Sequence, residues 1–494
     1  MAQYLFLTGP DDYYAKLALR LADELAVTPS VWIGKKQVTD FARHRFPECL
    51  VLDISDVISE PTPSRQLNNS EFAMLSEYWD SHDFLSYRIN LTEEFNRYPS
   101  LDSLTMMERD ALIRNMQVTV VQAIQEKKPD FVISLHPPHN PLSLAAWHFC
   151  EWLGLPSLFF RSAGNFAPIL LPSTTILGRV PYEFAISSTK DRPEPPGRQA
   201  IRLMAARVLD ELRAGDTTGW QRNEQERLAA TARSRFHRIN DFRQDVNRAL
   251  GRFRDPESAT LRDYLETRYR QLSEAHALLP DRVEGESFGY FALHYQPEAT
   301  SVPQGLEDVF QGEAVRKARA LLPSNIPLFV KEHPSQISWE LSGFRGRAAS
   351  FYSFVNSLPN TTMVSAHSPN NQLMQGACVI FTLTGTIGLE AAIKGIPVVY
   401  FGLPWWEGLP GTRPYENTNS PFEEWVPNPA KQGDVWDFLE RLAAEKGIPH
   451  YVEAASDDWG LSEKDLTEIS EGFLNACVEM IGSFIEGELE RRRK

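Results

Sequence analysis

Cysteine is scarce in this chain: four in 494 residues, Cys49, Cys150, Cys378 and Cys477, about a hundred or more positions apart, with no CxxC and no Cys/His cluster. That excludes a zinc module and a disulfide framework, and it favours a reducing compartment. Long apolar runs are also missing, since no stretch of eighteen apolar residues occurs. The longest uncharged segment, Ala348 to Leu389, is interrupted throughout by Ser, Asn, Pro and Gly, so it reads as a buried or ligand-lining region and not as a membrane span. The opening Tyr4-Leu5-Phe6-Leu7-Thr8-Gly9 has no basic residue before it; it reads as a first strand ending in a turn, not as a signal peptide, and a cytoplasmic location is expected. Positive charge is in deficit, with 50 Lys and Arg against 65 Asp and Glu and a net charge of −15. A generally basic nucleic-acid binder is thereby disfavoured.

What is present describes a large globular protein. At roughly 150 residues per domain the length suggests two to four domains, and 42% hydrophobic with 23% charged residues fits packed cores. Strand-like runs at Tyr4–Thr8, Ser30–Ile33, Leu50–Ile54, Phe131–Leu135 and Ser157–Phe160 alternate with helical patterns at Tyr13–Leu25 and Leu144–Leu153. A second alternating region places strands at Phe288–Tyr295, Leu328–Lys331, Thr362–Ser365, Val379–Leu383 and Pro397–Phe401. Strands alternating with helices predict mostly parallel, doubly wound sheets, whose ligands sit at the carboxyl ends of strands.

Between the two regions lies the Pro-rich Arg192-Pro193-Glu194-Pro195-Pro196 and then a helical stretch to Pro280 with sixteen Arg, no Lys and twelve Asp and Glu. Two readings stand for it: an exposed hairpin laced with salt bridges, or a cationic surface meeting anionic lipid headgroups or an acidic glycan. The expected division is residues 1–188, a connector and Arg-rich helical insert at 189–284, a second domain at 285–460, and a C-terminal helix at 461–494.

The richest chemistry falls in the second alternating region. Val379 to Val399 reads as strand, Thr384-Gly385-Thr386 turn, helix, Gly395 stop and strand. The turn sets backbone N–H groups and hydroxyls at a helix N-terminus, ready for a phosphate or carboxylate, although Ser, Thr and Gly caps are common without any ligand. Glu390, one turn in, can accept from ribose or sugar hydroxyls. Leu328-Phe329-Val330-Lys331-Glu332-His333-Pro334 delivers Lys331 and His333 to a strand end, where they can neutralise a phosphate leaving group. Gln296 and Glu298 close a further strand. In the first region, Asp11 and Asp12 follow the first strand, and His136 and His139 follow the Phe131–Leu135 strand; each can serve as a general base or, less exotically, cap a helix or brace a loop. Trp405 and Trp406 suit either stacking on a sugar face or packing.

Taken in order, Tyr290…His294-Tyr295-Gln296-Pro297-Glu298, Val330-Lys331-Glu332-His333-Pro334 and Thr382-Leu383-Thr384-Gly385-Thr386-Ile387-Gly388-Leu389-Glu390 resemble the capsule and surface-polysaccharide biosynthesis proteins, a group related to bacterial β-Kdo transferases of the GT-B fold. The similarity is clearest over Phe288–Gly411. It implies an α/β protein of GT-B type: two Rossmann-like domains facing a cleft, the N-terminal one for the acceptor and the C-terminal one for the nucleotide-sugar. Carried over residue by residue, it assigns His333 and Pro334 to the nucleotide phosphate, Thr384, Gly385 and Thr386 to nucleotide phosphate or sugar carboxylate, and Glu390 to ribose or sugar. Thr-Gly-Thr stands where many sialic-acid relatives have Ser-Ser. No DxD-like pair ends a strand of the nucleotide half, so no metal and no separate cofactor is expected.

The resulting expectation is a metal-independent inverting glycosyltransferase, with Kdo or another acidic sugar moved from a nucleotide donor to a glycan or glycolipid acceptor. Asp12, His139, Asp11 and His136 are the candidate bases. Gln296, Glu298, Lys331, His333, Pro334, Thr384, Gly385, Thr386 and Glu390 are the candidate donor contacts. A nucleotide-sugar epimerase or hydrolase on the same fold and a non-catalytic glycan-assembly subunit are the alternatives, and fold analogy by itself does not choose among them.

Overall fold

The computed structural model describes residues 2–9, 13–59, 65–98, 101, 104–163, 169–173, 287–296, 298, 300–337, 346–366, 368–416, 420–442, 448–449 and 462–493. Asp11, Asp12 and the whole Arg-rich insert expected at 189–284 lie outside the described residues. The chain divides into two units, one of Met1–Thr92, Leu104–Asp210 and Glu440–Lys494, the other of Glu93–Ser103 and Glu211–Leu439.

The first unit is built on a seven-stranded sheet ordered β13-β6-β5-β4-β1-β2-β3. Its strands are β1 (Gln3–Leu7), β2 (Thr28–Gly34), β3 (Leu50–Asp53), β4 (Phe131–Ser134), β5 (Ser157–Ser162), β6 (Ile169–Ser173) and β13 (Ile448–Pro449). β1 to β5 are parallel neighbours, while β6 and β13 add antiparallel edges. β1 and β4 are fully apolar over Tyr4–Leu7 and Phe131–Ile133 and buried on both faces, the pattern demanded of a central parallel strand with helices on either side.

The final helix, Glu463–Arg493, returns to this unit. Phe473, Cys477, Val478, Ile481, Phe484 and Ile485 recur at helical spacing and pack with Tyr13, Leu17 and Leu21 of the helix Tyr13–Leu25 and with Phe131 in one buried cluster. The 31-residue helix thus contributes an apolar stripe to the first core. The chain from Glu440 onward groups with the first unit, whereas the pattern of strands and helices alone carried the second domain on to 460.

The second unit holds a six-stranded parallel sheet ordered β12-β11-β10-β7-β8-β9. Its strands are β7 (Phe288–Ala292), β8 (Leu328–Lys331), β9 (Thr361–Val364), β10 (Ala377–Thr382), β11 (Val398–Tyr400) and β12 (Thr412–Pro414). From β7 the chain builds outward through β8 and β9 and then resumes on the other side at β10. The order therefore reverses between β7 and β10, the place where doubly wound sheets open a ligand crevice. The sheet of the first unit reverses in the same way between β1 and β4.

β7 is shorter than the expected Phe288–Tyr295. Leu293 still donates to the Lys331 carbonyl, but beyond it side-chain amides replace the strand ladder. Gln311 accepts from His294 N–H at 2.7 Å and donates back to the His294 carbonyl at 3.1 Å. Gln336 does the same for Gln296, at 2.8 and 3.0 Å. The backbone is satisfied without a neighbouring strand, which lets the chain leave the sheet while still buried.

Candidate functional site

Four segments of the second unit converge at the carboxyl ends of its strands: His294–Gln296 and Glu298 after β7, Glu332–Ile337 after β8 with Lys331 as its last residue, Asn370 after β9, and Thr384–Glu390 after β10. Their centre is a contact between His294 and Thr384. Thr384 N–H donates to His294 Nε2 at 3.2 Å, Thr384 Oγ1 lies 3.0 Å from the same nitrogen, and the hydroxyl donates to the Thr300 carbonyl at 2.9 Å. Both contacts fall on one ring nitrogen, which ties the imidazole to the turn. Burial, with the neighbouring His333 and Arg347, holds its pKa down to about 3, and the ring stays neutral.

Gly385 follows, and its lack of a side chain is required: a Cβ there would stand 2.8 Å from Thr382 Oγ1 and 2.9 Å from His294 Cε1. Gly385 N–H is already taken by Thr382 Oγ1 at 3.2 Å. The helix Thr386–Ile393 then begins without a side-chain cap, so the N–H groups of Thr386 and Ile387 point along the axis with no partner inside the helix. Gly388 lets the helix press onto Trp406; a Cβ would come within 2.5 Å of the indole. Trp406 is fully buried and meets Tyr400 edge-on at 5.3 Å. It braces this helix instead of offering a face to a sugar.

On the β8 side His333 accepts from Ser335 N–H through Nδ1 at 3.2 Å. The contact is created by the turn Pro334–Ile337, which gives Pro334 a shaping role. With Nδ1 an acceptor, the ring proton sits on Nε2. Burial, partly countered by Glu332 and reinforced by Lys331 and Arg347, lowers the His333 pKa to about 4. His333 is therefore a neutral N–H donor. Lys331 ends β8 and its ammonium donates to Asn370 Oδ1 at 2.5 Å; burial lowers its pKa to about 8 against the pull of Glu390.

Beneath these groups lies a buried charge network that the sequence did not announce. Arg347 donates to Glu332 at 2.9 and 3.2 Å, to Gln296 Oε1 at 2.5 Å and to the His294 carbonyl at 3.0 Å. Glu332 also accepts from His333 N–H at 2.8 Å and from the Tyr352 hydroxyl at 3.0 Å. Glu332 is 0% and Arg347 5% exposed, so neither reaches a ligand; together they fix the ends of β7 and β8.

The network corrects one expectation. Gln296, read as a donor contact, is buried, and its amide is consumed by Val309, Gln311 and Arg347. Its place is structural, because a ligand would have to break bonds that a buried amide must keep. The Thr384 hydroxyl and N–H and the Gly385 N–H are likewise used internally, which leaves the N–H groups of Thr386 and Ile387 as the backbone donors at this turn. Glu298 is half-buried, accepts from the Thr300 hydroxyl, and burial raises its pKa. Glu390 is half-buried at the helix and acts electrostatically on both Lys331 and Tyr290. His333, Lys331, Gly385, Thr386 and Glu390 lie at the same carboxyl edge of the sheet. Arg347, Glu332, Gln311, Gln336, Tyr352 and Asn370 were missed. A signal existed for Glu332 alone, a carboxylate between Lys331 and His333 at the end of an apolar strand.

In the first unit, His136 and His139 follow β4. His136 Nε2 lies 2.7 Å from the Tyr13 hydroxyl, at the reversal between β1 and β4. His139 Nδ1 lies 3.0 Å from the Pro137 carbonyl. Only an N–H can face a carbonyl, so His139 carries its proton on Nδ1 and Nε2 is the basic atom. Among the described residues no group of three His, Cys, Asp or Glu is placed to hold a metal ion, and no helix is long and apolar enough to cross a membrane.

Among solved structures, a UDP-GlcNAc 2-epimerase from Neisseria meningitidis bound to UDP-GlcNAc aligns over 98% of this chain and 100% of its own at 11% identity, with a TM-score of 0.21. MurG from Acinetobacter baumannii aligns over 98% and 100% at 10% identity, with a TM-score of 0.22. At that level of superposition neither likeness carries an argument, and the fold rests on the strand order of the chain itself. No curated protein sequence matches the chain. Residues 250–423, the stretch that holds every second-unit site residue described above, match the family model of the capsule polysaccharide biosynthesis protein, so the resemblance carried by the His-Pro and Thr-Gly-Thr motifs is borne out over that stretch.

Proposed function

We propose that the protein is a glycosyltransferase of capsular or surface polysaccharide synthesis, taking its sugar from a nucleotide donor held by the second unit. The observation that carries this reading is the convergence of anion-stabilising groups at the reversal of a doubly wound sheet. The N–H groups of Thr386 and Ile387, the His333 Nε2–H and the Lys331 ammonium all end strands or open a helix at that edge, within the stretch that matches the family model. Neutral N–H donors and one ammonium suit a phosphate whose negative charge grows as the glycosidic bond breaks. Glu390 is the group at hand for ribose or sugar hydroxyls.

For an inverting displacement the acceptor hydroxyl must lose a proton as it attacks. His139 supplies the acceptor atom, Nε2, in the right tautomer, with His136 as the second candidate of the described residues. Asp11 and Asp12 stay in the proposal as neighbours in sequence of Tyr13. An acidic sugar such as Kdo as the moving group, and leaving-group stabilisation by these protein donors without a metal, complete it.

The test is a thermal-shift screen of the purified protein with CMP, CDP, UDP and GDP, each with and without EDTA, repeated on His333→Ala. A selective shift that survives EDTA and is lost in the variant supports the reading. Silence with every nucleotide argues for a non-catalytic subunit.

A further inference from the structure

Lys331 Nζ shares its acceptor. Asn370 Oδ1, 2.5 Å from the ammonium, also accepts from the Tyr290 hydroxyl at 3.2 Å. Tyr290 is fully buried within β7 and Lys331 is 6% exposed, so two side chains from the sheet pin one carboxamide oxygen. Asn370 itself opens the helix Asn370–Gly376 after β9, on the surface. An amide oxygen positions an ammonium without neutralising it. The charged and titratable groups that act on Lys331 come from its surroundings: Glu390 on the helix Thr386–Ile393, His333 two residues on, and Tyr290 through the shared oxygen.

We propose that Asn370, backed by Tyr290, is the positioning residue for Lys331: it holds the ammonium at the carboxyl edge of β8 for a bound anion while leaving its charge unpaired by any direct carboxylate contact from that side. This rests on the reading of the strand edge as an anion site. The consequence is a cation that titrates close to neutrality, because burial lowers its pKa to about 8 and the neutral amide does not restore it. Anion affinity then falls as pH rises through that value.

The experiment follows the Lys331 side chain by NMR in the ligand-free protein and measures binding of CMP and inorganic pyrophosphate by calorimetry over the same pH range, for wild type, Asn370→Asp and Asn370→Ala. Asn370 is exposed, yet it is the acceptor of the buried Tyr290 hydroxyl and Lys331 ammonium, so a urea titration of both variants accompanies the binding measurements, and Asn370→Asp keeps an acceptor in place. In Asn370→Asp a carboxylate meets the ammonium, and the titration midpoint rises by about one unit or more, with the alkaline loss of binding moving alongside it. In Asn370→Ala the ammonium loses its anchor, and pyrophosphate affinity near neutral pH drops about tenfold, the loss of one charge-assisted contact. A midpoint unmoved in Asn370→Asp, or undiminished affinity in Asn370→Ala, overturns the role of Asn370. Failure of wild type to bind either probe overturns the anion-site reading itself, and the NMR midpoint still reports on Asn370 separately.

Discussion

His294 and Thr384, ninety residues apart, meet across β7 and β10 with the imidazole Nε2 accepting the threonine N–H at 3.2 Å and lying 3.0 Å from its hydroxyl. The contact closes the sheet reversal at its carboxyl end and sets where the helix Thr386–Ile393 begins. Thr384→Val keeps the shape and removes the hydroxyl, which leaves the Thr300 carbonyl without that donor. Urea unfolding is expected to show a loss of about 1 kcal/mol, the net worth of one hydrogen bond to the carbonyl of a residue that stays exposed.

Glu332 and Arg347 form a buried pair in which each is held by several further groups. Removing one partner strands the other, so Arg347→Met is expected to cost about 3–5 kcal/mol. The same unfolding measurement on Glu332→Gln and on Glu332→Gln/Arg347→Met should show a double-variant loss smaller than the sum of the two single losses, and a loss equal to that sum would show that the pair is not energetically coupled.

Acid sensitivity follows from His294 and His333. Both are neutral when folded, with pKa values lowered by burial to about 3 and about 4 from the ordinary 6.5. Below 6.5 the unfolded chain takes up protons that the folded chain refuses, so stability rises with pH between about 3 and 6.5 and is lost as pH falls through that window. His333→Gln should flatten this slope in a series of denaturant titrations. An unchanged slope would place the acid-sensitive group elsewhere.

The two roles of histidine separate kinetically under the proposed function. His139→Ala should leave the thermal shift with nucleotide unchanged and reduce transfer by about 10²–10⁴, the range for loss of a general base. His333→Ala should weaken nucleotide binding itself. A His139→Ala enzyme with wild-type turnover would move the base to His136 or to the Asp11-Asp12 pair.

Gly388 and Trp406 offer a packing test. Gly388→Ala places a methyl 2.5 Å from the indole, and because the ring is fully buried it has little room to yield. A loss of about 1–3 kcal/mol is expected from such overpacking, read as a lower melting temperature together with a weaker nucleotide shift.

Much of the architecture was legible in the residues alone. Continuous apolar runs such as Phe131–Ile133 and Val379–Phe381 fit strands buried on both faces, and the His-Pro and Thr-Gly-Thr motifs marked two polar strand ends. Local pattern could do this because strand, turn and helix N-terminus are set by neighbours within a few residues. The roles within the site were another matter. Gln296 and Thr384 are polar residues at strand ends, as His333 is, yet their polar groups are spent on Gln311, Arg347 and Thr300, partners up to about ninety positions away. Lys331 depends on Asn370, and the final helix found its core beside Tyr13 and Phe131. Composition and periodicity determined that this chain builds two mostly parallel sheets with polar residues at the strand ends. Only the tertiary structure decided which of those polar groups are spent inside the fold, because each buried donor and acceptor must first be satisfied by whatever the fold brings beside it.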